Sequence, residues 1–452
     1  MTRFLSRLSL LVLLASCAAI AQNLEMEAHV PVVALAASAP FPGSGHIVMP
    51  QSSTPRAADF GLHARTLFQI LVPAGRSEEV MGFSESEFTR EATQPMSGYV
   101  AETPASLACL YGVVAVAAGC NPLTLTTVAS GGSRAIAIVD AYDDPNALAD
   151  LTAYSRQFGL PAPTSSTFTV AYEGTGRPSA DPSCSLYGGW DCWAAETSLD
   201  IEMAHAMAPS AHIYLVEANS SSFTDLLATV KKAVSLVTAA GGGEVSMSWG
   251  GAEFATEVQY DSTFTGSNVV FFASSGDSEG TIYPSVSSNV IAVGGTTIAR
   301  NPSTLSFENE VAWEDTGGGY SAYEARPSFQ SSIASIVGSH RGVPDVAAVG
   351  NPRTGVWVYD SFYNNYSGTV YAWNILGGTS VASPLWAGIV NHAGHFSAST
   401  SAEQTSIYSN AKTAADFRDV TVGTCGFYEG YMAVSGWDPC SGNGAPLGAA
   451  GK

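Results

Sequence analysis

Charge is what this chain has least of. Asp, Glu, Lys and Arg make up 13% of it, about half the usual share. Only 18 of those residues are basic, against 39 acidic, for a formal charge of −21 at pH 7. That balance leaves no basic stripe to grip a phosphate backbone, so nucleic acid is not an expected partner. No P-loop or dinucleotide fingerprint occurs, which removes the simplest nucleotide-binding readings. No Cys-x-x-Cys pair marks a zinc site. Beyond residue 21 no uninterrupted apolar run reaches the roughly 18 residues that span a bilayer. None of the eight histidines (His29, His46, His63, His205, His212, His340, His392 and His395) is followed by glycine.

What is present is apolar and small. Hydrophobic residues form 46% of 452, enough for a large core in one big domain plus a leader, or in two or three domains. Scarce charge with abundant Gly, Ser, Thr and Ala indicates export. The acidic balance is also compatible with acid tolerance. At low pH most carboxylates are neutral, and few Lys and Arg remain to repel one another.

Arg3 and Arg7 precede an apolar run, Leu8 to Leu14, as in a secretory signal. Ala19-Ile20-Ala21 is a small-x-small site that implies cleavage before Gln22, hence a secreted product. Leu14-Ala15-Ser16-Cys17 also matches a lipobox, which would instead make Cys17 a lipidated N-terminus; free secretion is the favoured reading. The other six cysteines fall as near neighbours: Cys109 and Cys120, Cys184 and Cys192, Cys425 and Cys440. In an exported chain an even count favours disulfides, and three local loops are expected among the 15 connectivities.

Residues 22–102 are Ala-, Pro- and Ser-rich with weak periodicity and read as a leader. From 103 onward short apolar runs alternate with helical spacing. Strands are expected at 135–139, 213–216, 244–249, 269–273 and 290–293, and helices at 147–158, 198–207 and 223–237. Such alternation indicates an α/β fold with a largely parallel sheet, whose sites gather at the carboxyl ends of strands. Asp140, Trp249 and Asp277 lie just past such ends.

The chemistry is concentrated in Gly377-Gly378-Thr379-Ser380-Val381-Ala382-Ser383-Pro384. Glycines clear space beside Ser380, and the apolar run that follows reads as a helix with Pro384 in its first turn. A helix start offers positive partial charge where an oxyanion would form. A serine still needs a base. His205 and His212 flank Pro209 at a helix-to-strand join and read as structural. Glu196 and Asp200 are four apart, so on a helix they share a face. They are either an ordinary solvated acidic face or a carboxylate pair tuned to take a serine's proton. Asp277, in Ser274-Ser275-Gly276-Asp277-Ser278, follows a buried strand. It is either a turn residue or an acid that, while protonated, donates to an oxyanion.

Taken together, these motifs resemble the sedolisin family of serine-carboxyl peptidases, over about residues 103–452. The resemblance implies a subtilisin-like α/β fold, with a largely parallel central sheet flanked by helices and a short N-terminal leader region. It implies Ser380 as nucleophile, Glu196 as base, Asp200 as the acid that orients it and Asp277 as the oxyanion acid. Ser246-Met247-Ser248-Trp249-Gly250 is similar to the strand bordering the family's substrate cleft. The resemblance also implies one structural Ca2+ ion near the C-terminus, held by the carboxylates of Asp419 and Asp438 and the carbonyls of Val420 and Gly436, with Val434 a further donor. The expected organisation is a signal at 1–21, a leader or shortened pro-region at 22–102 and a peptidase domain at 103–452. Two departures stand out. The leader is short for the family, and Asp140 occupies a place where some members carry a glutamate.

The expected function is that of a secreted, acid-active, monomeric serine-carboxyl endopeptidase acting on proteins or peptides. One rival is a neutral subtilisin-like peptidase with Asp140 as its acid, which lacks its His-Gly. The other is a catalytically silent secreted binding protein of the same fold.

Overall fold

The computed structural model describes residues 45–452, apart from 78–79, 88–98, 185–191, 363–364, 367, 412, 414 and 427–429. The expected signal and Cys17 lie outside the described residues. At the centre is an eight-stranded sheet. Its order is Phe307–Ala312, Ile291–Arg300, Val269–Ser274, Gly243–Met247, Ala135–Ala141, His212–Ala218 and Phe168–Tyr172, with Val346–Val349 also paired to Ile291–Arg300. All pairings are parallel except that of Phe307–Ala312.

Both faces of the sheet are covered, which is why its strands read as unbroken apolar runs. In Ala135–Ala141 the side chains of Ala135, Ala137 and Val139 join the layer under the helix Phe223–Ala239. Ile136 and Ile138 join the larger core on the opposite face. That face carries two helices packed on each other, Trp193–Met207 and Thr379–Ala393. The expected elements appear, most with small shifts of boundary, although the strand expected at 290–293 runs on to Arg300, and three local disulfides close as expected: Cys109–Cys120, Cys184–Cys192 and Cys425–Cys440.

Three local readings need correction. The helix expected from 198 begins at Trp193. Every residue of Trp193–Met207 is buried, so no polar face marks its start in the sequence. Its first turn is fixed from outside, by the Cys184–Cys192 disulfide and by Asp181, whose Oδ2 accepts the Trp193 N–H at 3.2 Å. The strand expected at 244–249 breaks at Ser248: Gly243–Met247 stays in the main sheet and Trp249–Ala252 turns to other partners. Pro384 is not in the first turn but is the sixth residue of Thr379–Ala393.

Residues 45–77 fold into the same compact unit as the rest of the described chain. Gln69–Pro73 pairs on one edge with Gly45–Val48 and on the other with Trp373–Gly377, the strand that leads into the Ser380 helix. Arg65–Thr66 pairs with Trp249–Gly250.

Candidate active site

Gly378 positions Ser380. Its φ of +114° is closed to most side chains, and a Cβ there would lie 2.6 Å from Asp277 Oδ2. The chain turns on it from Trp373–Gly377 into the helix, and Ser380 becomes the second helical residue, fully buried. Pro384 has no N–H to donate to the Ser380 carbonyl one turn back. The Ser248 hydroxyl donates there instead, at 3.3 Å, and the Ser380 hydroxyl donates back to the Ser248 carbonyl, also at 3.3 Å. The break at Ser248 thus has a use.

Glu196 and Asp200 are not a solvated face. Both are fully buried, on the side of their helix that meets the Ser380 helix. Burial first, and then the charge of Asp140, hold Glu196 well above the usual carboxylate range, while its contact with Ser380 pulls the other way. Asp200 is raised by burial and then by the charges of Asp140 and Glu196. Burial pushes Asp140 itself up to about 8. Asp140 therefore joins the cluster at the end of its strand. Three buried carboxyls this close do not ionise together: the first proton leaves at the lowest pH, and the hydrogen bonds of Glu196 to Ser380 and to the Leu67 N–H favour the charge on Glu196 while Asp140 and Asp200 stay neutral.

Asp277 is the second acid centre. Its Oδ1 accepts both the Thr379 N–H, at 2.7 Å, and the Thr379 hydroxyl, at 2.8 Å. Its Oδ2 is buried and unpartnered. Burial raises its pKa to about 7 against those bonds and the charge of Arg65. A proton on Oδ2 makes it a donor beside the Ser380 N–H, which is the arrangement that stabilises an oxyanion.

The histidines stand apart. His205 bonds the Pro161 carbonyl at 2.8 Å and His212 the Thr169 hydroxyl at 2.8 Å. Among the described residues no histidine is hydrogen-bonded to Ser380, Glu196 or Asp277. Three contributors had no sequence signal as site residues: Thr379, Ser248, and Leu67 from the leader. Leu67 donates its N–H to Glu196 Oε2 at 3.2 Å and accepts the Ser380 N–H at 3.0 Å.

Near the C-terminus the expected metal ligands lie in two segments, 419–420 and 434–438, that are joined by hydrogen bonds. Asp419 accepts the Gly436 N–H (3.2 and 3.1 Å) and the Ser435 hydroxyl (2.9 Å). Asp438 accepts N–H groups of Val434, Cys440 and Ser441 at 2.9–3.0 Å. The Ser441 hydroxyl reaches both Asp438 and the Val420 carbonyl. Two carboxylates and nearby main-chain carbonyls, all oxygen, fit a hard cation such as calcium.

A largely parallel sheet covered by helices on both faces, with a serine at a helix start after a Gly-Gly turn, defines the subtilisin-like class. The subtilase family model matches residues 191–424. The chain belongs to the subtilase family, and within it to the sedolisins. Kumamolisin of Bacillus sp. (strain MN-32) is 29% identical over 354 residues, 70% of this chain and 59% of the relative. Sedolisin of Pseudomonas sp. (strain 101) is 28% identical over 369 residues, 73% of this chain and 60% of the relative. The chain thus spans about three fifths of the length of these curated relatives. A solved structure of Pseudomonas sedolisin, complexed with two molecules of pseudo-iodotyrostatin, superposes with a TM-score of 0.60 at 26% identity, covering 76% of this chain and 95% of the other.

Proposed function

We propose that this protein is a serine-carboxyl endopeptidase that hydrolyses peptide bonds in acid. One arrangement carries the reading: Ser380 lies between a buried carboxyl cluster and an acid whose free oxygen faces the same point as the Ser380 N–H. Glu196, oriented by Asp200, takes the hydroxyl proton as Ser380 Oγ attacks the scissile carbonyl carbon. The oxyanion accepts from the Ser380 N–H and from Asp277, which must hold its proton to donate. Glu196 passes its proton to the leaving nitrogen as the C–N bond breaks. Water then attacks the ester, with Glu196 again taking and returning a proton.

The helix dipole and the main-chain donor are already in place before reaction, so little reorganisation opposes charge development. The substrates are proteins or peptides, and three disulfides suit an extracellular setting. A calcium ion held by Asp419, Asp438 and the carbonyls of Val420 and Gly436 would tie the tail to the sheet and neutralise two acids; it has no part in the chemistry.

The test is hydrolysis of a mixed peptide library at pH 4 by wild type, Ser380→Ala and Glu196→Gln. Both variants should be nearly inert while remaining folded. Full activity in folded Ser380→Ala would remove the reading.

A further inference from the structure

The residues that would receive a substrate are already occupied by the chain itself. Arg65–Thr66 runs antiparallel to Trp249–Gly250, with Arg65 opposite Gly250 and Thr66 opposite Trp249. One step further in that register, Leu67 faces Ser248, whose carbonyl receives the Ser380 hydroxyl. The Leu67 carbonyl accepts the Ser380 N–H at 3.0 Å, where the oxyanion would form. A Cβ on Gly378 would sit 2.2 Å from that carbonyl oxygen, 2.6 Å from Asp277 Oδ2 and 2.6 Å from the Phe68 Cα. The Leu67 oxygen and both oxyanion donors therefore converge on one small space. Leu67 and Phe68 are 1% and 0% exposed, so no other peptide can reach the same N–H while they remain.

Beyond Phe68 the chain is not detachable leader. Gln69–Pro73 pairs with Trp373–Gly377 along three residues, and Ile70 and Val72 lie in the main core. Removing everything before Thr103 would strip a buried strand from the sheet that carries the nucleophile.

Resting on the function proposed above, we infer that the Leu67–Phe68 peptide bond is the enzyme's own first substrate, and that maturation cuts there rather than near Thr103. Ser380 Oγ bonds to the Leu67 carbonyl carbon as its proton passes to Glu196. The Leu67–Phe68 C–N bond breaks, its electron pair stays on the Phe68 nitrogen, and that nitrogen takes the proton from Glu196. Water hydrolyses the Leu67 ester, leaving a carboxylate on Leu67 and restoring the Ser380 hydroxyl. The strand from Gln69 remains in the sheet with Phe68 as a new N-terminus. The cleft opens when Arg65–Leu67 withdraws from Trp249–Gly250. The same register implies a preference in other substrates for a branched aliphatic residue before the cut and an aromatic residue after it.

The full chain is purified at neutral pH and shifted to pH 4. Intact mass and N-terminal sequencing are followed over time, with hydrolysis of an added peptide, Ala-Arg-Thr-Leu-Phe-Gln-Ile-Leu, measured alongside. The expected product starts Phe-Gln-Ile-Leu-Val. Its first-order rate should be unchanged over a tenfold range of protein concentration, and it should not form in Ser380→Ala. The added peptide should be cut only after the chain is cut, at its Leu-Phe bond. A protein that hydrolyses the peptide while its Leu67–Phe68 bond stays intact, or one whose new terminus lies near Thr103, overturns this inference and leaves the peptidase reading standing. Loss of both cleavages in folded wild type removes the peptidase reading and this inference with it.

Discussion

Thr379 spends both of its donors, the main-chain N–H and the hydroxyl, on a single oxygen of Asp277, Oδ1. The consequence is chemical. Once Oδ1 is committed as acceptor, a proton on this carboxyl belongs on Oδ2, the oxygen that faces the Gly378 turn and the Leu67 carbonyl. The residue before Ser380 thus selects which oxygen of the acid can donate.

Replacing Asp277 separates donation from ionisation. Asp277→Ala should lower kcat at pH 4 by about a hundredfold or more, the usual cost of one oxyanion donor. Asp277→Asn keeps an N–H donor that does not titrate. It should retain more activity than Ala, and its profile should lose the fall near pH 7 that Asp277 sets. Steady-state kinetics on matured enzyme from pH 3 to 9 would show both effects.

Ser248 and Pro384 form a testable pair. The Ser380 carbonyl lacks its helical partner because residue 384 is proline, and the Ser248 hydroxyl fills that role. Ser248→Ala should destabilise the fold by about 1–3 kcal/mol through a buried, unpaired carbonyl. In Ser248→Ala/Pro384→Ala a main-chain N–H returns, and part of that loss should be recovered. Denaturant melts of the two single variants and the double variant, in a Ser380→Ala background to prevent self-cleavage, give the coupling.

Stability should be greatest in acid. Burial raises Asp140 and Asp144 to about 8 and Asp150 to about 6. At neutral pH Asp140 and Asp144 keep their protons in the fold, Asp150 keeps its own only below about 6, and all three ionise once unfolded. A raised folded pKa stabilises fully below the unfolded value near 4 and is lost as pH rises through the folded values. The melting temperature of Ser380→Ala should therefore fall steadily from pH 4 to pH 8. A melting temperature that rose over that span would show these acids to be ionised in the fold.

Calcium should raise the melting temperature and EDTA should lower it, with no change in the pH profile of activity. Asp438→Asn should abolish the calcium response, since it removes one of two carboxylates from the two segments.

Much of the fold was legible in the sequence because parallel strands buried on both faces leave unbroken apolar runs: 135–139 and 269–273 fell inside the observed strands. The acid helix was harder to read. Its fifteen buried residues carry no periodic polar face, so its first turn, which holds Glu196, had no start signal. The reach of the resemblance explains both success and omission. Glu196, Asp200, Asp277 and Ser380 sit in short motifs and are brought to one site. Leu67 sits in no motif, and its role depends on a pairing between residues 65–66 and 249–250 that no local pattern encodes. Ser248 reads in the sequence only as part of a cleft strand, while its bond to Ser380 exists because of a proline 136 positions away.

If Ser380 is served by carboxyls that must hold protons, the pH dependence of kcat/KM on a peptide substrate will show it. Matured wild type should be most active in acid and lose activity as Asp277 ionises near pH 7, with Glu196→Gln down by about a hundredfold or more throughout. A wild-type optimum at pH 8 to 9, with Glu196→Gln at full rate, would contradict the account.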